Sequence, residues 1–179
     1  MGQMIKTVIR MLILGVVMTI VAALFFHFHM TFNSADVEKA ASRFVEIKLP
    51  HGCKWLSSNG NRTTNEVVIE MLEPVNLLIY LTDFSDTKCK DNKELLLRSL
   101  KDEMGDKYEP PKSDFTKEVG GQQMLFTEDT NSHKHLLMGA LVTNKHDGIV
   151  LSAEEVLPSE RKKEFEAIDQ VLHSIEAWR

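Results

Sequence analysis

Eighteen uncharged residues in a row, Met11–Phe28, constrain this chain more than any other feature it has. The run reads MLILGVVMTIVAALFFHF, follows Lys6 and Arg10, and meets no ionised residue until Asp36. As a helix it reaches about 27 Å, against a hydrocarbon core of about 30 Å. Thr7–Ile9 lengthen it on one side, and Met30 and Phe32 on the other. The expected organisation is a cytoplasmic tail over 1–10, a transmembrane signal-anchor over 11–32, and a linker with a short helix over 33–43. Residues 44–179 then form one folded domain, long enough for a core of its own.

Charge decides the orientation. Lys6 and Arg10 lie before the run, whereas the residues after it open with Asp36, Glu38 and Lys39. Positive charge stays on the cytoplasmic side, so the domain is expected outside, carried by a single-pass protein of the inner (cytoplasmic) membrane. The alternative is a cleaved signal peptide and a soluble exported domain, because Val21-Ala22-Ala23 offers small residues at a cleavage position. Against it, the apolar run continues through Leu24-Phe25-Phe26. No cysteine follows the run closely, which excludes a lipoprotein anchor. Lys6 and Arg10 are two of the 21 basic residues, so the part past the span holds 19 against 26 acidic ones, a net −7. That balance repels phosphate backbones, and nucleic acid is not an expected partner.

Past the span, the apolar pattern alternates between the periods of helix and strand. Val37, Ala40, Ala41 and Phe44 fall on one side of a short helix over 34–44. Val45, Ile47 and Leu49 alternate with Glu46 and Lys48 as in a half-buried strand, closed by Pro50-His51-Gly52. Cys53–Leu56 reads as a short strand ended by a turn cluster at Ser57–Asn61. Two β-rich runs, Asn65–Leu72 and Asn76–Leu81, flank Glu73-Pro74 as an antiparallel pair. Asp91 and Glu94 cap a helix that Gly105 ends, with Leu96, Leu97, Leu100 and Met104 as its apolar stripe. Phe115–Val119 and Gln122–Thr127 flank Gly120-Gly121, a two-residue hairpin link. With Lys134–Thr143 and Ile149–Glu155 they make a four-strand meander. A final amphipathic helix opens at Ser159 and carries Phe165, Ile168, Val171, Leu172, Ile175 and Trp178 inward, with Glu164, Asp169, Gln170 and Glu176 outward. Strands, helix, four strands and helix make an α+β fold with an antiparallel sheet.

Cys53 and Cys89 are the only cysteines. An exported domain permits a disulfide between them, closing a loop of about 35 residues worth about 3 kcal/mol. Two separate buried thiols fit the sequence equally. Asn61-Arg62-Thr63 has the form of a glycosylation acceptor, used only in a eukaryotic secretory setting.

This order resembles the PsbP/DcrB-like family of small exported domains. Phe44, Leu49, Pro50, Gly52 and Trp55 are similar to that family's opening phrase, with Cys53-Lys54 moving the tryptophan two places on. The Gly120-Gly121 hairpin with its meander matches the middle, and Gly148–Ala153 with Ser174-Ile175 the ending. Coverage runs from Phe44 to Trp178. The resemblance implies an α/β/α sandwich and a non-catalytic accessory or assembly role at a membrane. It implies no catalytic residue and no cofactor.

Motifs for chemistry are few. No phosphate loop, GxSxG elbow, HExxH helix or EF-hand loop occurs. His133 and His135, at i and i+2 on a strand, would share one side as two metal ligands do, with Glu128 and Asp129 nearby to complete a site. The competing reading is two polar residues opening a strand. His51-Gly52-Cys53 brings an imidazole close to a thiol in sequence, but a nucleophile needs a base held by a third group. The expected function is a membrane-anchored extracytoplasmic module that binds a protein partner. The alternative is a metal- or thiol-dependent exported protein using His133 and His135, or His51 and Cys53.

Overall fold

The computed structural model describes residues 30–61, 63–85, 87–105, 111, 113–128, 135–143, 147–154 and 160–179, with the backbone alone for Met30, Met104, His135 and Leu136. The expected tail and the run Met11–Phe28 lie outside these residues. Among the described residues no helix is long and apolar enough to cross a membrane.

One eight-stranded antiparallel sheet organises the domain, in the spatial order β1-β3-β4-β5-β9-β8-β7-β6. Its strands are β1 (Met30–Thr31), β3 (Cys53–Gly60), β4 (Thr64–Met71), β5 (Leu77–Phe84), β6 (Phe115–Val119), β7 (Gln122–Glu128), β8 (His135–Val142) and β9 (Gly148–Glu154). A two-stranded sheet pairs β2 (Val45–Ile47) with the last strand, β10 (Ile175–Trp178). The helices are α1 (Ser34–Ala41), α2 (Asn92–Met104) and α3 (Arg161–Ser174).

Topology follows from one crossover. After β5 the chain passes through α2 to the far edge, makes β6, and returns by β7 and β8 until β9 pairs with β5. The expected meander is therefore present. Its first link is tight because Gly120 and Gly121 both take positive φ, +56° and +75°, so Val119 pairs directly with Gln122.

Alternation along the strands makes two faces. On one, Val67, Ile69, Leu77, Ile79, Leu81, Ile149 and Leu151 are buried with Val37 and Ala41 of α1 and Ile168, Val171 and Leu172 of α3. On the other, Met138, Ala140 and Val150 pack against Leu95, Leu96 and Leu100 of α2. Helices thus lie on both sides of an antiparallel sheet, in an α+β fold. The α2 cap matches its sequence signature: Asp91 Oδ1 accepts from Glu94 N at 2.8 Å, and Glu94 Oε2 accepts from Lys90 N at 2.9 Å. Gly105, at φ +55°, ends the helix.

The structure corrects the pattern in three places. β3 runs through the expected turn cluster to Gly60, since Ser57–Gly60 pair in register with Asn65–Val68 of β4, where backbone pairing outweighs their preference for turns. The last helix stops at Ser174, whose hydroxyl donates to Val171 O, and Ile175–Trp178 turns extended to pair with β2. Glu164, expected outward, is buried, because the inward stripe is Glu164, Ala167, Ile168, Val171 and Leu172.

Candidate functional site

Among the described residues, those singled out from the sequence do not form one site. His133 lies outside the described residues. His135 opens β8 opposite Glu154 in register. Among the described residues no group of three or more His, Cys, Asp or Glu side chains is placed to hold a metal ion. His51 is exposed in the turn before β3, next to Gly52 at φ +85°. Cys53 is half-buried against the α1/α3-side core, and burial pushes its thiol above its ordinary value, the reverse of an activated thiolate. Cys89 is buried in the other core, beside α2, where its backbone N–H donates to Thr87 Oγ1 at 3.2 Å. Both are free thiols, on opposite faces of the sheet.

A different feature stands out: α2 covers only half of its face. It packs on β7, β8 and β9. Asn92, in its first turn, fixes that position by donating to Gln123 O at 2.8 Å and accepting from Val142 N at 2.7 Å. Gly148 admits the helix closely, for a Cβ there would stand 2.6 Å from Leu95 Cδ2. Among the described residues, no helix covers the face of β4 and β5 on this side. Between it and α2 lies a cleft of about 620 Å³.

The floor of the cleft is apolar, from Leu95, Met138 and Val150. Its walls are polar. Glu66 and Thr82 pair across β4 and β5, and Tyr80 and Ser152 across β5 and β9. Arg98, Asp102 and Glu103 project from α2, and Glu154 closes one end. Arg98 is committed locally, donating to Thr87 O and facing Asp102 at 3.7 Å. Glu66, Glu103 and Glu154 therefore give the cleft an acidic character.

That character shows in the titrating groups. Burial, reinforced by the charge and hydrogen bond of Glu154 and by the charges of Glu66 and Glu103, pushes the Tyr80 phenol up to about 12. Tyr80 is thus a proton donor across the physiological range. Burial also raises the Glu66 carboxyl, Glu103 adds to the rise, and the Thr82 hydroxyl, 3.5 Å away, opposes it. A half-buried carboxylate with acidic neighbours is an unfavourable arrangement that a cation would relieve. The cleft can accordingly hold an apolar group on its floor and positive charge or N–H donors at its walls.

Stability should report this directly. The folded-state pKa of Glu66 lies above its ordinary 4.5, so the folded protein holds the proton more tightly than the unfolded chain. Stability then rises as pH falls through the raised pKa and levels off below the unfolded value. Glu66→Gln is expected to stabilise the protein at pH 7, with the gain vanishing below pH 4.5. Urea midpoints at pH 7 and pH 4 measure it; a gain that grows on acidification contradicts the assignment.

No signal for this cleft was taken from the sequence, although one exists. Glu66, Val68 and Glu70 on β4, and Tyr80 and Thr82 on β5, alternate with a fully apolar set in two strands at the middle of the sheet. Central strands covered on both faces are apolar throughout. No protein-family model matches the chain, and neither a curated protein nor a solved structure matches it.

Proposed function

We propose that this protein is a membrane-anchored extracytoplasmic accessory or assembly module, non-catalytic, that binds a segment of a partner protein in the cleft between α2 and the open face of β4 and β5. The single observation that carries the reading is that cleft, an apolar floor of Leu95, Met138 and Val150 under the carboxylates of Glu66, Glu103 and Glu154. Pockets that hold ligands combine such a floor with a few convergent polar groups. The apolar run Met11–Phe28 supports the anchor, and confinement to a membrane surface raises the effective concentration of a partner held there. The resemblance to PsbP/DcrB-like domains belongs to the same proposal: helices on both faces of an antiparallel sheet, serving as an accessory factor.

The test places a photoreactive benzoylphenylalanine at Thr82 or Ser99 in the cleft, and at Glu118 on the exposed side of β6, in the full chain within its native membrane. A discrete protein adduct from positions 82 and 99, and none from 118, is the expected result. Adducts equal at all three positions, or turnover by the purified protein without a partner, would overturn it.

A further inference from the structure

The described chain begins already fastened to the sheet. Met30 pairs with Asn59 and Thr31 with Ser58, at the end of β3 that turns into β4. Asn33 then caps α1, accepting from Ala35 N at 3.1 Å, and Val37 and Ala41 are buried in the core. Only His29 separates this fastening from Phe28, the last residue of the apolar run. Two residue steps reach at most about 7 Å. On the anchor reading, with the span ending at Phe28, no slack is left for a flexible tether.

Direction follows from pairing. β1 runs antiparallel to β3, so the chain enters at the Asn59 side and moves toward Ser58, away from the β3–β4 turn. The turn with Gly60 and Asn61 therefore faces the side from which the chain arrives. Phe32, at the same edge, is 70 % exposed, the most exposed large apolar side chain among the described residues. An aromatic ring four residues past an apolar run suits the boundary between lipid and water.

The geometry points to a lipid contact: the β3–β4 end of the sheet, with Phe32 at its edge, rests against the outer surface of the bilayer and holds the domain in one orientation. This rests on the anchor reading above. It adds that Thr63, Thr64 and Ser85, at one end of the cleft, lie next to the lipid, so a segment bound there belongs to a neighbouring membrane protein.

Photolabelling of the full chain tests the contact. The protein is placed in phosphatidylcholine vesicles containing a phosphatidylcholine with a diazirine near its headgroup, irradiated, and mapped by mass spectrometry. Peptides holding Phe32 and the Asn59–Thr64 turn should label about ten times more than the Leu72–Val75 turn, which the length of β4 keeps ~25 Å away. Equal labelling of both ends, or adducts only before His29, overturns the proposal. Phe32→Asp should reduce labelling of the Asn59–Thr64 turn about threefold while the chain resists alkaline extraction; unchanged labelling removes Phe32 from the contact. Extraction of the wild-type chain by alkaline carbonate would refute the anchor itself, a result distinct from a tethered domain that labels evenly.

Discussion

Gly139→Ala lowers the stability of the domain by about 1–3 kcal/mol, and Phe126→Leu introduced beside it returns part of that loss. Gly139 on β8 stands opposite Phe126 on β7. A Cβ at Gly139 would lie 2.4 Å and 2.6 Å from two carbons of the Phe126 ring and 3.1 Å from Met124 Cε. Phe126 and Met124 are both fully buried. Phe126 also stacks on Phe115 with ring centroids 5.6 Å apart, so it has a neighbour on the side to which it would have to move. The ring occupies the volume that a side chain at 139 would need, and the two residues form one packing unit. Urea denaturation of the full-length protein in detergent, with unchanged m-value, measures the loss. Coupling in the double variant separates this account from a general intolerance of alanine in β8. Strictly additive losses, or a Gly139→Ala protein as stable as wild type, would refute it.

Local structure was legible where local physics decides it. The Asp91–Glu94 cap, the positive-φ pair Gly120-Gly121 and the alternation from Phe115 to Glu154 each specify an element through contacts among near neighbours. The pairing of β2 with β10 depends on residues more than a hundred positions apart, and no periodicity announces it. Ile175 and Trp178 are three residues apart, which continues a helical stripe as well as it fills a short strand. The same ambiguity of phase put Glu164 on the outward side of α3, whereas Phe165, expected inward, does pack half-buried against the core. The cleft was hidden for another reason. It arises from where α2 sits, fixed by Asn92 on the ends of β7 and β8, and a helix of 13 residues cannot also cover β4 and β5. His133 lies outside the described residues and His135 is described by its backbone alone, so that pair stands on its i, i+2 spacing with Glu128 and Asp129 nearby.

Removing the indole of Trp178 is expected to cost about 3–5 kcal/mol, against roughly 1 kcal/mol or less for removing the charge of Arg179 beside it. Trp178 is 8 % exposed in the larger core, whereas the Arg179 side chain is 54 % exposed in its pair with Glu46. The indole N–H donates to Val119 O at 2.8 Å, and the ring packs where a Cβ on Gly120 would stand 3.0 Å from its nitrogen. Trp178 therefore joins the C-terminal strand to the β6–β7 hairpin at the far edge of the main sheet. β10 also holds β2, and Arg179 N, just past it, donates to Phe44 O at 3.0 Å, so the same C-terminal segment reaches the residues that follow α1. Loss of the indole disconnects two parts of the domain, while loss of the arginine side chain removes an exposed ion pair with Glu46 and an exposed hydrogen bond to Ser42 O. Trp178→Phe tests which part of the side chain matters. It keeps most of the apolar area and leaves Val119 O without its donor, so a loss of about 1–2 kcal/mol is expected, between the other two. Denaturation midpoints for Trp178→Ala, Trp178→Phe and Arg179→Ala should fall in that order of severity. If Arg179→Ala cost as much as Trp178→Ala, exposed charge rather than buried aromatic contact would hold the C-terminal strand. If Trp178→Phe were as damaging as alanine, the hydrogen bond to the hairpin would outweigh the packing.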